Sequence, residues 1–595
     1  MRSNNSKNVI LICAILGLLG LYLGLNFPLL PFPETKSKIS AKDNLQLSAT
    51  YNSTIIIDEL VPANNWEVAK AAGVCTGSGT AANPYVISSH LFNTTSGTEC
   101  LRIYNSRKYF RVLDCVFIIT GFSGGIILSN TTNGLIQRNQ LPHNIFINIL
   151  SDNCSQITIR DNNCSGSIGG IVVADSDNII IDDNIINDNL GYGINLDNSK
   201  FVTIEDNEII ETVTDGIYLN DCDEVTINRN TIINSTNIGI NSELSNNTNI
   251  LSNTISDSDN HGVRISQNYR CKISGNDISE SVNDGIRIEQ TTHSLIESNN
   301  VNDNFNGIHL ITTSEYNTIS KNTANKNQND GIYLSSVDNN IVSQNTVNHN
   351  GGEGLWLTGC DNSLVYRNTA YNNTGNGIRI NSADNITCTK NVAYENQENG
   401  IRLFGAINCI LDENNAHHNG WDGIRLMTSC TNNILRSNTG QYNNLSGIHL
   451  VSTSNTNLLT NNLVRFNLEH GIFIETSDSN TLMGNTANSN EINGIYLLNS
   501  DSNSIISNTA NNNKNGTYLV SSNNNIVANN VFIGNDVCYN ETGSSGNIFE
   551  GNICTVPGGL AFDLSLFLLI LVIVESAALG VIIATYFIRK RKPKT

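Results

Sequence analysis

The sequence predicts an all-β chain folded as a parallel β-helix, a solenoid of about 23 residues per coil. Two observations predict it. Glycines recur at 170, 193, 216, 239, 262, 285, 307, 331, 354, 377, 400, 423, 447, 471, 494 and 516, a step of 23 with slips of one residue. Asparagines recur in phase with them, from Asn184 through Asn207, Asn230, Asn322 and Asn345 to Asn508, and a second column runs from Asn304 through Asn327 and Asn350 to Asn513.

Each repeat opens on a Gly-Ile-x-Leu run such as Gly331-Ile332-Tyr333-Leu334, crosses a polar turn to an apolar pair such as Ile341-Val342, and reaches an Asn followed by a third short segment. Apolar residues alternate with period two in these runs, and no window carries helical i, i+3, i+4 spacing, so each coil holds three very short strands. One coil has a single layer of Ile and Leu and cannot bury it alone; stacked coils bury a continuous column. The Asn columns suit the same geometry, because stacked amides hydrogen-bond to the copies above and below and Asn tolerates the left-handed backbone of tight corners.

With these residues the repeat resembles the right-handed parallel β-helix repeat of NosD-like and carbohydrate-binding/sugar-hydrolase proteins, a group that includes membrane-anchored archaeal surface proteins. The resemblance covers about four-fifths of the chain. It implies a single-stranded right-handed β-helix and leaves function open, since the fold hosts lyases, hydrolases, epimerases, adhesins and copper-maturation proteins.

In chain order, residues 1–25 carry Arg2 and Lys7 ahead of an apolar run and form a signal peptide or an amino-terminal anchor; residues 26–50, with Pro28, Pro31 and Pro33, form a linker. Residues 51–124 are strand-rich but off the repeat, as a cap with first coils must be where an open solenoid end exposes its core. Residues 125–535 are the repeats and 536–560 a closing cap and stalk. Residues 561–588 form a transmembrane helix and 589–595 a basic cytoplasmic tail, which places the β-helix outside the cell. The protein is then a membrane protein with one pass, or two if the first segment is retained. Glu575, beside Ser576 and Gly580, is positioned for helix association.

Three features bear on partners. A net charge of −20 argues against nucleic-acid binding. Asn-x-Ser/Thr triplets, as at Asn93, Asn372 and Asn444, fit an exported glycoprotein. Of 14 cysteines, the pairs Cys100 and Cys115, Cys154 and Cys164, and Cys538 and Cys554 are close enough in sequence to bridge.

The candidate ligand-binding residues are the x positions of Gly-Ile-x-Leu, which point outward when Ile and Leu point in: Arg264, Arg287, His309, Tyr333, Trp356, Arg379, Arg402, Arg425, His449, Phe473, Tyr496 and Tyr518. Arginine forks match carboxylates or sulfates, and aromatic faces offer platforms for sugars, so the column suits an extended acidic polysaccharide or another envelope component. The bland alternative is that such residues favour exposed strand sites. Two positions on, Phe404, Met427, Val451, Leu498 and Val520 either widen this face or turn inward, with Glu475 interrupting them.

Asp182, Asp183, Glu205 and Asp206 stack like charges one coil apart and are candidate ligands for Ca²⁺, with solvated turn acids as the alternative. Catalysis needs an acid or base beside a cation, and Asp284 with Arg287 and Glu289, or Asp422 with Arg425, supplies that pairing. A polygalacturonase set is missing: Asn260-His261-Gly262 and Arg264-Ile265-Ser266 only approach it. Copper is not expected, because its soft ligands in the repeats are scattered. The functional expectation is therefore a cell-surface protein that binds or scaffolds carbohydrate or envelope material. The alternatives are a lyase or epimerase acting on an acidic glycan, and a purely structural spacer or adhesin.

Overall fold

The computed structural model describes residues 47–94, 99–119, 124–142 and 146–556. The segments expected to be a leader or anchor, most of the linker, the transmembrane helix with Glu575 and the basic tail lie outside them. Among the described residues no helix is long and apolar enough to cross a membrane. The chain divides into two compact units, Met1–Glu398 with Ala406–Ile410, and Asn399–Gly405 with Leu411–Thr595.

The first unit begins with strands Ala49–Tyr51 and Ile55–Asp58 and helix Trp66–Ala71, whose amino end is capped by the Asn65 side chain accepting from the Val68 N–H. From there three parallel sheets are built one strand per coil, as the alternation of Ile and Leu with polar residues requires. In the first sheet Ile332–Ser335 pairs with Leu355–Thr358, and that strand pairs with Ile378–Asn381. Their register puts Ile332 beside Leu355 and Leu355 beside Ile378, so positions one repeat apart are vertical neighbours. Ile341–Ser343 with Leu364–Tyr366 continues the second sheet, and Thr346–Asn348 with Thr369–Tyr371 the third. Ile332, Leu334, Val342 and Val347, one coil's inward residues, are fully buried.

The second unit repeats the plan. Its first sheet runs Ile401–Phe404, Ile424–Met427, Ile448–Val451, His470–Glu475, Asn493–Leu498, Asn515–Val520 and Val537–Thr542, all parallel. Cys538 and Cys554 form a disulfide across its last coil. The other bridges considered from spacing do not form. Cys100, Cys115, Cys154 and Cys164 are separate buried thiols, and those of Cys115 and Cys154 donate to the backbone carbonyls of Leu113 and Asp152 at 3.2 Å each. Closeness in sequence did not bring the pairs together because each residue occupies its own place in the coil.

The glycine column is explained by close approach. A Cβ on Gly354 would stand 2.6 Å from the Gly377 carbonyl oxygen and 2.8 Å from the Asn373 amide nitrogen, inside contact distance. The Asn columns are hydrogen-bond ladders. Asn345 Oδ1 accepts from the backbone N–H of Asn322 at 2.9 Å and from its side-chain amide at 3.1 Å; Asn345 Nδ2 donates to the Ile319 carbonyl at 2.9 Å and to Asn368 Oδ1 at 3.0 Å. The expectation that these asparagines supply the left-handed corners fails: in this coil the residue before, Gln344, has φ +58°, and Lys321 and Arg367 have +57° and +53° in neighbouring coils. The Asn is chosen for its buried amide, which satisfies backbone groups that a corner leaves without ladder partners.

Candidate functional site

The outward residues of the first sheet form the column expected from Gly-Ile-x-Leu. The register joins Arg264 to Arg287, Arg287 to His309, His309 to Tyr333, Tyr333 to Trp356 and Trp356 to Arg379 in the first unit. In the second it joins Arg402 to Arg425, Arg425 to His449, His449 to Phe473, Phe473 to Tyr496 and Tyr496 to Tyr518. These side chains are half-buried, and His449 is buried.

Two parts of the expectation change. The aromatic rings do not present their faces. His309, Tyr333 and Trp356 stack with successive centroids 4.5 Å apart, and His449, Phe473 and Tyr496 stack at 4.4 and 4.9 Å. Coil spacing in a parallel sheet is close to the distance at which rings stack, so the faces cover one another. The arginines are also committed. Arg264 binds Glu289 at 2.7 Å and Glu243 at 2.5 Å, Arg287 binds Asp284 at 2.8 Å and Glu289 at 2.5 Å, and Arg379 binds Glu353 at 2.8 Å while lying over the Trp356 ring. In the second unit Arg425 stands 3.3 Å from Asp422, and Arg402 reaches Met427 Sδ at 3.1 Å. The apolar positions two residues on also face outward; Phe404, Met427, Leu498 and Val520 are half-buried and Val451 is buried.

A second column was not anticipated. From Asp215 on, the residue just before the repeat glycine is buried and polar in all but one coil, where it is Ile238; examples are Asp215, His261, Asp284, Asn306, Asp330 and Glu353 in the first unit and Asp422, Ser446 and His470 in the second. It climbs from coil to coil through hydrogen bonds, as Asn306 Nδ2 donates to Asp284 Oδ1 at 2.7 Å and the Glu353 N–H donates to Asp330 Oδ1 at 2.7 Å. The signal was present in the sequence, because these positions share the glycine step; it was hidden because acids, amides, His and Ser alternate there.

Where the two columns meet, the candidate catalytic residues gain histidines. Asp284 Oδ2 lies 2.8 Å from Arg287 and 3.1 Å from His309 Nδ1. Burial opposes its charge, but hydrogen bonds from His309, Asn306 and Arg287 prevail and hold its pKa at about 2. His261, one coil earlier, is driven down to about 4 by burial. In the second unit Asp422, fully buried, lies 3.1 Å from His449 Nδ1, and His449 Nε2 lies 3.5 Å from Glu475. Burial disfavours a charged His449, yet the hydrogen bonds to Asp422 and Glu475 outweigh it and raise its pKa, and His449 in turn lowers that of Glu475. His470 nearby is pushed down to about 4 by burial. With Asp422 at Nδ1, His449 presents Nε2 to Glu475.

The proposed Ca²⁺ ligands sit elsewhere, on the second sheet. Asp182, Asp183 and Asp206 bring oxygens within 4.8 Å of one another, and Glu205 does not join them. Arg160 approaches Asp182 and Asp183 at 3.3 and 3.6 Å, and Arg229 binds Glu205 and Asp206 at 3.1 and 2.6 Å. Guanidinium groups thus supply countercharge to the stacked acids.

Fold and strip together define a parallel β-solenoid with a polar ladder beside an outward ladder of arginine, histidine and aromatic residues. The family described as right handed beta helix region matches residues 99–255, 192–338 and 306–464, over half of the chain in sum, and the chain belongs to that family. The family described as periplasmic copper-binding protein (NosD) matches residues 408–555. No curated protein sequence matches the chain. Among solved structures, a periplasmic alginate epimerase is 15% identical over 53% of this chain and 77% of its own, with a TM-score of 0.30. The A-module of an Azotobacter vinelandii mannuronan C-5 epimerase is 13% identical over 62% and 91%, with a TM-score of 0.28. PfbA, a surface adhesin of Streptococcus pneumoniae, is 12% identical over 53% and 83%, with a TM-score of 0.30.

Proposed function

We propose that this protein works outside the cytoplasm, held at the cell membrane by its carboxy-terminal apolar segment, and binds or scaffolds carbohydrate of the envelope along the first-sheet strip. One observation carries the reading: in each unit, successive coils align donors and acceptors of a kind that hydroxyl groups satisfy, half-buried between a rigid sheet and a hydrogen-bonded ladder. A site preorganised on a regular element loses little freedom on binding. The purified full-length chain should bind glycans on an array, and Tyr333→Ala with Trp356→Ala should weaken that binding at least about tenfold, the usual weight of an interfacial aromatic. Failure of the wild-type chain to bind any glycan would remove the proposal.

A second reading concerns the second unit. His449, between buried Asp422 and half-buried Glu475, is placed for proton transfer, which favours a lyase or epimerase acting on an acidic glycan. Incubation with polyuronates should then yield unsaturated, ultraviolet-absorbing ends or a changed epimer ratio, lost in His449→Gln; neither product appearing would eliminate it.

A further inference from the structure

We propose that the strip of the first unit selects a neutral, hydroxyl-rich glycan and rejects polyanions. The inference rests on the carbohydrate reading above and reverses the ligand charge that the arginines suggested. On the strands and turns from Tyr192 to Asn381, the ladder before the glycines, the outward column and the positions two residues beyond it hold seven carboxylates and three guanidiniums. Each guanidinium is already engaged. Arg264 contacts Glu289 through both Nε, at 3.1 Å, and Nη2, at 2.7 Å, leaving Nη1 to Glu243. Arg287 spans Asp284 and Glu289, and Arg379 spans Glu353 and, at 3.1 Å, Asn381 Oδ1. The remaining carboxylates are held by amides: Asp197 by Asn220 at 2.7 Å, Asp215 by Asn237 and Asn241 at 2.6 and 3.0 Å, Asp330 by Asn329 at 3.0 Å.

A ligand carboxylate or sulfate would therefore have to break an internal ion pair and enter a field of excess negative charge, both unfavourable. A sugar hydroxyl meets neither obstacle, since it donates to carboxylate oxygens and accepts from N–H groups. The strip also holds two buried polar atoms without a hydrogen-bond partner, His309 Nε2 and the Trp356 indole N–H, on either side of Tyr333 in the ring stack. Buried polar atoms ordinarily have partners, and two separate hydroxyls suit them, one donating to the first and another accepting from the second, because Tyr333 lies between the two rings.

The test uses the full-length chain in detergent with laminarihexaose and N-acetylchitohexaose as neutral probes and polygalacturonate as the polyanion, each measured at low and high salt. At least one neutral oligomer should bind, with little salt dependence, and polygalacturonate should bind at least tenfold more weakly at low salt. Trp356→Phe keeps the ring and removes the N–H; it should weaken the neutral oligomer about fivefold without altering the melting temperature. Replacing Asp197, Asp215 and Asp330 together by Asn should narrow the gap by strengthening polygalacturonate binding. Tighter binding of polygalacturonate, weakened by salt and lost in Arg287→Gln, would overturn the charge assignment while leaving the carbohydrate reading intact. Absence of binding to all three probes together with a silent glycan array would overturn both.

Discussion

Replacing Asn345 by Ala tests the ladder on which the stacking of coils depends. The side chain, 1% exposed, makes four hydrogen bonds: it accepts from the Asn322 backbone and amide and donates to the Ile319 carbonyl and to Asn368 Oδ1. Asn322 Nδ2 keeps its bond to the Ile296 carbonyl, and Asn368 Oδ1 still accepts from the Asn345 N–H. The substitution therefore strands the buried Asn322 N–H and takes one bond from the Ile319 carbonyl, which sits in the ladder with Ile341–Ser343. At about 1–3 kcal/mol for an unsatisfied buried group and about 1 kcal/mol for a lost hydrogen bond, the loss should be about 3 kcal/mol. Equilibrium denaturation of the full-length chain, followed by circular dichroism, measures it. Ser343→Ala, at a half-buried outward position two residues away, serves as control and should stay within about 0.5 kcal/mol. Because each coil is supported by its neighbours, the Ala variant should also split the transition of the first unit. A loss under about 1 kcal/mol, or one equal to that of Ser343→Ala, would refute the view that buried amides hold the coils in register.

Further outcomes follow from the same geometry. Gly354→Ala forces a methyl against the Gly377 carbonyl oxygen and should destabilise the first unit by about 3 kcal/mol, at the upper end for overpacking, as measured by its thermal midpoint. His261 is held neutral with a pKa of about 4, against about 6.5 when unfolded, so the unfolded chain binds the extra proton between these values. Its contribution is present above pH 6.5 and lost as pH falls toward 4; relative to His261→Gln, the wild-type chain should lose about 2 kcal/mol between pH 7 and pH 5, a trend that a pH series of melts would read directly. Asp330 works in the opposite sense within that unit, because burial raises its pKa to about 6 and its protonation relieves a cost as pH falls through that value; Asp330→Asn should remove this gain. The thiols of Cys115 and Cys222 are buried and pushed up to about 12 by burial, so the folded chain should leave them unlabelled by a thiol reagent at pH 8, and urea should expose them. Labelling of either cysteine at the rate of a free peptide thiol would contradict their placement.

The period of the repeat was enough to determine the solenoid, the inward Ile and Leu, and the outward column from Arg264 to Tyr518. Backbone hydrogen bonding between successive coils turns a sequence step into a spatial one, so a residue's neighbours along the coil axis can be read from its number. What the strip offers a ligand was decided by tertiary structure. Side chains at one outward position stand about as far apart as stacked rings and within reach of the buried ladder beside them; the rings of His309, Tyr333 and Trp356 therefore close on one another, and Arg264, Arg287 and Arg379 close on Glu289, Asp284 and Glu353. The same proximity brought His309 and His449 to Asp284 and Asp422, each a coil away and some 25 residues distant in the chain. Linear spacing gives the column a residue belongs to, but the charge and edges that column presents depend on rotamers selected by contact with the next one.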